Sequence, residues 1–264
     1  MQKFLIFLFF FLSFSALSKE KIVITGSSTI APVMSDLGKL FEKNHKKLRI
    51  NVQTGGSSRG ILDARKGLSQ IGMVSRALKS SEKDLSNFTF AKDGLAIITH
   101  KSNSINELTD SQIQKIYKGE IKNWKELGGP DKKIVVVNKA EGRSTLELFL
   151  KFFELKNSQI KASIIIGDNE QGVKTVSTNP NAIGYVSIGT AEYNASVGVP
   201  LKLLSYKGVK ASVENVENGK YPLTRELNLV IKGKQTKPVK KFINFVLSKN
   251  AHDMIKEHYF VPIK

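Results

Sequence analysis

Two periods of apolar and polar positions alternate along this chain. Over residues 31–44, Met34, Leu37, Leu40 and Phe41 recur three and four residues apart, which lines them along one face of a helix. Leu146, Phe149, Leu150 and Phe153 repeat that spacing and predict a strongly amphipathic helix over 144–156. Weaker versions predict helices over 60–66, 108–117, 238–247 and 253–258. Between them, short apolar, largely β-branched runs predict strands at 21–24, 48–52, 71–74, 95–99, 134–137, 164–166, 183–186 and 227–231. Strands alternating with helices indicate an α/β fold with mainly parallel pairing. No internal repeat or low-complexity segment interrupts the pattern.

The first eighteen residues stand apart from it. Met1-Gln2-Lys3 is a short positive start, and residues 4–14 are an apolar run broken only by Ser13. Ala16 and Ser18 then place small residues at the −3 and −1 positions of a cleavage after Ser18. This layout predicts a secretory signal peptide over 1–18, because the run is about half of the ~20 residues that a spanning helix needs. No other stretch is long or apolar enough to cross a bilayer. The remaining 19–264 suits one large domain or two of moderate size.

Composition narrows the classes further. The chain has 264 residues and no cysteine, so disulfides, cysteine metal sites, a Cys nucleophile and a lipid-modified Cys are all excluded. Secretion without a lipid-accepting Cys points to the periplasm, where an outer membrane retains a soluble protein. Lys plus Arg number 41 against 23 acids, a formal charge of +18. Such an excess fits nucleic acid, anionic lipid or an anionic ligand, and equally a solvated lysine-rich surface. The densest patches, 43–49 and 232–241, lack the interleaved aromatics of a single-strand nucleic-acid platform. The four histidines, at 45, 100, 252 and 258, show no metal-ligand spacing. Trp124, the lone tryptophan, reads as packing between elements.

Three strand-to-helix junctions carry the chemistry. They are Thr25-Gly26-Ser27-Ser28-Thr29, Gly55-Gly56-Ser57-Ser58-Arg59-Gly60 and Lys139-Ala140-Glu141-Gly142-Arg143-Ser144-Thr145. Each combines glycine with hydroxyls at the expected N-cap of a helix. Glycine lets backbone approach a ligand closely, and a helix start presents unpaired N–H groups with a partial positive charge. One such junction is an ordinary cap. Three in an α/β chain, gathered where the strands end, would form an anion cup. Arg59, Arg76, Lys139 and Arg143 lie within or beside the loops. Glu141, between Lys139 and Arg143, is expected to pair with one of them.

These motifs, in this order and with Ile71-Gly-Met-Val-Ser-Arg76, Ile121-Lys-Asn-Trp124, Ile183-Gly-Tyr-Val-Ser187 and Tyr221-Pro-Leu-Thr-Arg225, resemble the periplasmic phosphate-binding proteins of ABC phosphate importers (PstS type). The resemblance runs from about Lys21 to the C-terminus. It implies a two-lobed periplasmic-binding-protein fold of type II-like design, two α/β domains joined by two hinge crossovers. The lobes would be 19–94 plus 222–264, and 95–221. It also implies inorganic phosphate as ligand, permease subunits as partners, a monomer that is neither embedded in a membrane nor bound to nucleic acid, and no enzymatic activity, cofactor or metal.

Matched motif to motif, Ser28, Thr29 and Ser57 would donate from the first lobe, and Lys139, Arg143, Ser144 and Thr145 from the second. Ser58 neighbours them, and Ser75 and Arg76 complete the set. Two departures matter. Some family members carry Asp where this chain has Ser75, and that Asp accepts the proton of hydrogen phosphate, so sulfate and molybdate stay open as ligands. The third loop reads Gly-Arg-Ser-Thr where others read Gly-Ser-Gly-Thr, with Lys139 in place of Arg, which implies Arg143 as the main cation. The rival is a serine hydrolase: Gly56-Ser57-Ser58-Arg59-Gly60 matches Gly-x-Ser-x-Gly, with Ser58 as nucleophile.

Overall fold

β1 (Glu20–Gly26) is a parallel partner of both β2 (Leu48–Thr54) and β3 (Ile71–Val74), and two helices connect the three strands. α1 (Ala31–Asn44) has Pro in its first turn and Lys43 in its last, an arrangement that suits the fixed φ of proline and the helix dipole. Its apolar stripe buries Val33, Met34, Leu37 and Phe41. α2 (Ser57–Lys66) follows β2 and begins three residues earlier than the periodicity suggests, so Ser57 and Ser58 lie in its first turn. The computed structural model describes residues 19–263; the expected signal peptide over 1–18 lies outside the described residues.

β4 (Leu85–His100) is the longest strand and organises the rest. After it come α3 (Asp110–Lys118), β5 (Val135–Lys139), α4 (Ser144–Phe152), β6 (Ile164–Ile166), α5 (Asn169–Ser177), β7 (Ala182–Ser187), α6 (Ile188–Ser196), β8 (Leu201–Leu203) and α7 (Val213–Glu217). The chain then returns through β9 (Thr224–Lys232), α8 (Lys237–Val246), α9 (His252–Glu257) and β10 (Val261–Pro262). The strand order is β2-β1-β3-β9-β4-β7-β5-β6, with β8 and β10 also pairing with β4.

Mainly parallel pairing is corrected to a mixed sheet. β4 is antiparallel to β7, β8, β9 and β10, and β3 is antiparallel to β9. The returning strand β9 lies between β3 and β4, which a simple alternation of strands and helices does not anticipate. The 95–99 strand is the second half of β4; its first half carries polar Ser86, Asn87, Thr89 and Lys92 and gives no continuous apolar run.

β4 exchanges partners in mid-strand. Leu85 to Gly94 pair with β9, and Leu95 to Thr99 pair with β7. The Leu95 N–H donates to the Leu223 carbonyl at 2.8 Å, just before β9 begins. A large apolar core lies on either side of this exchange, and a smaller cluster of Ile61, Ala64, Val74, Leu85 and Val230 lies beside α2. One large core holds Ile24, Met34, Phe41, Phe90, Leu229 and Phe242; the other holds Trp124, Tyr117, Phe149, Val137 and Tyr185, joined by Val261 from the C-terminal segment. Trp124 is fully buried in the second, its indole N–H donating to the Asn181 carbonyl. The molecule therefore has two lobes with separate interiors, bridged by β4 and by the segment that leads through Leu223 into β9.

Candidate functional site

The three glycine-hydroxyl turns meet between the lobes. Gly55 and Gly56 both donate their N–H groups to the Gly26 carbonyl, at 3.0 and 2.9 Å, which ties the first turn to the second. The third faces them from the other lobe: the Ser58 N–H donates to the Gly142 carbonyl at 3.2 Å. Gly56 has φ +92°, and a Cβ there would lie 2.6 Å from the Gly142 oxygen. Both facts demand glycine, since an L side chain is strained in that backbone region and would hold the lobes apart.

The hydroxyls do not cap their helices, as the sequence suggests. The N-cap positions of α1, α2 and α4 are Ile30, Gly56 and Arg143, and no side chain caps any of the three. Ser57, Ser144 and Thr145 instead occupy the first helical positions, with Ser28 and Thr29 just before Ile30. Among the N–H groups of the helix starts, those of Ala31 and Ser58 are taken by the Ser27 and Gly142 carbonyls, and those of Ser57, Ser144 and Thr145 are left to another partner.

That partner has a place. A cavity with about 200 Å³ of empty space is lined by Ser27, Ser28, Thr29, Gly56, Ser57 and Ser75 from one side and by Lys139, Arg143, Ser144, Thr145 and Gly167 from the other. The volume open to water-sized groups is about 10 Å³, far below the several hundred Å³ of an organic-ligand pocket, so only a small group fits. Ser27 donates to Ser75 Oγ at 2.9 Å, and Ser57 Oγ accepts the Ser75 N–H at 3.2 Å. The Ser144 hydroxyl is buried with no hydrogen-bond partner.

Lys139 ends β5 and is the central charge. Its N–H donates to the hydroxyl of Tyr185, which donates in turn to Asn138 Oδ1, and the Tyr185 ring stacks on Phe149 at 4.0 Å. These contacts fix the strand end. The side chain is only 2% exposed, yet Nζ has no hydrogen-bond partner. Burial pushes the ammonium down to about 7; the charges of Arg225 and Arg143 push the same way and Asp168 opposes them. Arg143, in contrast, is paired with Asp168 at 2.7 Å, so much of its charge is compensated.

Of the ten residues read from the sequence, Ser28, Thr29, Ser57, Ser75, Lys139, Arg143, Ser144 and Thr145 surround the cavity. Ser58 and Arg76 do not. Ser58 Oγ donates to Glu147 at 3.4 Å. Arg76 turns to Glu82, with bonds of 2.7 and 2.9 Å, and reaches Glu147 in α4 at 3.1 Å. Two carboxylates hold it because an unpaired guanidinium is costly at that depth. Glu141 accepts from Asn157 rather than pairing with Lys139 or Arg143. Arg59 turns to Asp63, Gln53 and the Thr54 carbonyl.

Other residues reach the site without having been singled out. Ser27 and Gly167 line the cavity, and Asp168 faces Arg143. Behind the cavity, Arg225 of β9 and Asp93 of β4 form an ion pair at 2.7 Å. Arg225 belongs to the Tyr221–Arg225 motif, which the sequence marked without a role; Gly167 and Asp168 carried no signal.

Neighbouring features are unsuited to the same chemistry. A larger groove of about 410 Å³ beside Thr29 is lined by Asp36, Glu170, Glu257 and His258, and its acids repel anions. The two lysine-dense stretches meet in another groove, around Lys46, Lys47, Lys237 and Lys241. That groove lies at the starts of β1 and β2, whereas the cavity lies at their ends. Ser58 lacks the setting of a nucleophile, since the Glu147 carboxylate beside it is already engaged by Arg76 and Lys79. Among the described residues, no cluster of His, Asp and Glu is placed to hold a metal ion.

Comparison with known proteins gives concordant results. The PBP superfamily domain matches residues 15–250. The phosphate-binding protein PstS of Borreliella burgdorferi is 31% identical over the whole of both chains. A putative phosphate ABC transporter substrate-binding protein of Clostridium perfringens, solved with bound phosphate, superposes with a TM-score of 0.86 and 36% identity, covering 93% of this chain and 100% of that one. An ABC-type phosphate transport receptor of Vibrio cholerae gives a TM-score of 0.75 and 31% identity, over 91% and 99% of the two chains.

Proposed function

Because this chain belongs to the PstS family of phosphate-binding proteins within the PBP superfamily, we propose that it captures inorganic phosphate in the cavity between its lobes and delivers it to the permease subunits of an ABC importer. It is a transport component rather than an enzyme. No helix among the described residues is long and apolar enough to cross a membrane. A periplasmic location, reached through a cleaved 1–18 leader and held without a lipid anchor, fits the absence of cysteine.

One observation carries the phosphate reading. A lysine ammonium without a counter-ion is buried in a small cavity whose other groups are hydroxyls, uncapped helix starts and the Arg143 guanidinium, itself paired with Asp168. Such a charge is expensive unless an anion joins it. Ser28, Thr29, Ser57 and Ser75 would grip the anion from the first lobe, and Lys139, Arg143, Ser144 and Thr145 from the second. Each charge-assisted hydrogen bond contributes roughly 1.5–3 kcal/mol net. Micromolar affinity requires about 8 kcal/mol. Six or more donors reach that range after the cost of ordering.

Donors split between lobes also make closure depend on ligand, which gives a permease two forms to distinguish. The lobes divide into 19–94 plus 222–264 and 95–221, a boundary that follows the exchange of β4 from β9 to β7. Titration calorimetry on protein freed of bound anion tests the function. Phosphate binding at micromolar affinity or better, with arsenate competing, is the expected result. Equal binding of sulfate would reassign the ligand within the tetrahedral oxyanions.

A further inference from the structure

Arg225 is the one side chain among the described residues that bonds a cavity hydroxyl from each lobe. Its guanidinium is 1% exposed, and so is its partner Asp93. Nε and Nη2 donate to Asp93 Oδ2 at 2.9 and 2.7 Å. Nη1 donates to Thr145 Oγ1 at 3.0 Å, at the start of α4, and Nη2 to Thr29 Oγ1 at 3.2 Å, before α1. Asp93 is held in turn by the Ser187 hydroxyl at 2.8 Å and the Gly189 N–H at 3.2 Å, both from the α6 start. The pair sits at the lobe boundary, where Asp93 and Arg225 face each other near the end of the β4–β9 pairing.

The chemistry of guanidinium then dictates the polarity of both hydroxyls. Arginine donates and never accepts. Thr145 and Thr29 must therefore use oxygen lone pairs toward Arg225. Thr29 Oγ1 also accepts from Asn169 Nδ2 at 3.0 Å, which fills its second acceptor site. Each hydroxyl hydrogen is left to point elsewhere, and both residues line the cavity. Thr29, with both acceptor sites filled, can act toward the cavity only as a donor, and Thr145, with one filled, is biased the same way. Asp93 meanwhile compensates the charge of Arg225, so this arginine adds orientation more than net charge.

We infer that Arg225 is a positioning residue that orients Thr29 and Thr145 as hydrogen-bond donors, one from each lobe, and so makes the cavity specific for acceptor-rich anions and couples recognition to closure. This rests on the phosphate reading of the cavity. The role differs from that of Lys139, which brings charge to the ligand directly.

A double-mutant cycle read by phosphate calorimetry tests it, with thermal melting of each ligand-free variant to monitor folding. Arg225→Lys keeps a cation against Asp93 but loses the fork, and Thr145→Val removes the hydroxyl at nearly constant shape. Each single change is expected to weaken phosphate binding tenfold or more. Because both act through one hydrogen bond, the double variant should be within threefold of the weaker single one. A merely structural arginine predicts losses that multiply, and that result, or unchanged affinity in Arg225→Lys, overturns the role. If Arg225→Lys does not fold, Arg225→Met with Asp93→Asn, which removes both buried charges, replaces it in the same cycle. Wild-type protein that binds phosphate while the losses multiply refutes only the positioning role. Wild-type protein that binds neither phosphate, sulfate nor molybdate refutes the anion reading and this role together.

Discussion

Glu147, in the first turn of α4, is joined across the cleft to Lys79, Oε2 to Nζ at 2.6 Å. Arg76 meets the same oxygen from the first lobe through Nε at 3.1 Å. Both cations follow β3, and Glu147 lies two residues beyond Thr145 of the cavity. The carboxylate thus links the wall of one lobe to the anion-facing helix of the other. Arg76, read from the sequence as part of the site, works at the rim of the cleft.

Neutralising that link should loosen closure. Lys79 is half exposed and its share is screened by solvent, so Arg76 carries most of the effect. Glu147→Gln is expected to weaken phosphate binding about fivefold, roughly 1 kcal/mol, mainly through faster release. Stopped-flow displacement measures the release rate. An unchanged rate would show that the lobes close without this contact.

Lys139 makes the protein sensitive to pH in a definite direction. Its ordinary value is 10.5, and burial, aided by Arg225 and Arg143, holds it near 7 in the folded, ligand-free state. Between about 7 and 10.5 the unfolded chain binds a proton that the folded chain lacks. Unfolding then takes up a proton and becomes harder as pH rises, so this residue's contribution to stability increases across that window. Below about 7 both states are protonated and its contribution is flat at its least favourable value. Anion binding restores the charge, so phosphate binding at pH 8 should take up more protons in the wild type than in Lys139→Met. Calorimetry in buffers of different ionisation enthalpy checks this, and equal uptake in the two proteins counts against Lys139 as the cation at the ligand.

Arg143 has a second duty besides the ligand contact proposed for it. Its pairing with Asp168 at 2.7 Å keeps that carboxylate from acting as a bare negative charge beside the cavity. Arg143→Ala should weaken phosphate binding at least tenfold. Adding Asp168→Asn should recover part of the loss, because the repulsion disappears with the charge. No recovery on calorimetric titration would confine Arg143 to direct contact.

Periodicity made much of this molecule legible. The 31–44 and 164–166 elements coincide with α1 and β6, because an apolar face or a β-branched run is itself what those elements bury or pair. α5 and α6 were missed: Gly172 interrupts the first, and Gly189, Thr190 and Asn194 dilute the apolar face of the second. The glycine-hydroxyl turns were readable as motifs, since backbone freedom and donors leave a local signature. The acid partners were not. Asp93 and Asp168 meet Arg225 and Arg143 over 132 and 25 positions of chain, and no local pattern announces such a pairing. Arg76 misled for the same reason, as its proximity to Ser75 in the chain hid the carboxylates that draw it away.

Anomalous diffraction from crystals grown with arsenate, a heavier tetrahedral relative of phosphate, tests the central claim most directly. One arsenic peak is predicted between the lobes, within hydrogen-bonding reach of Lys139, Ser57 and Ser144. A peak confined to the lysine groove around Lys46 and Lys237, or none in crystals of protein that binds arsenate in solution, would contradict it.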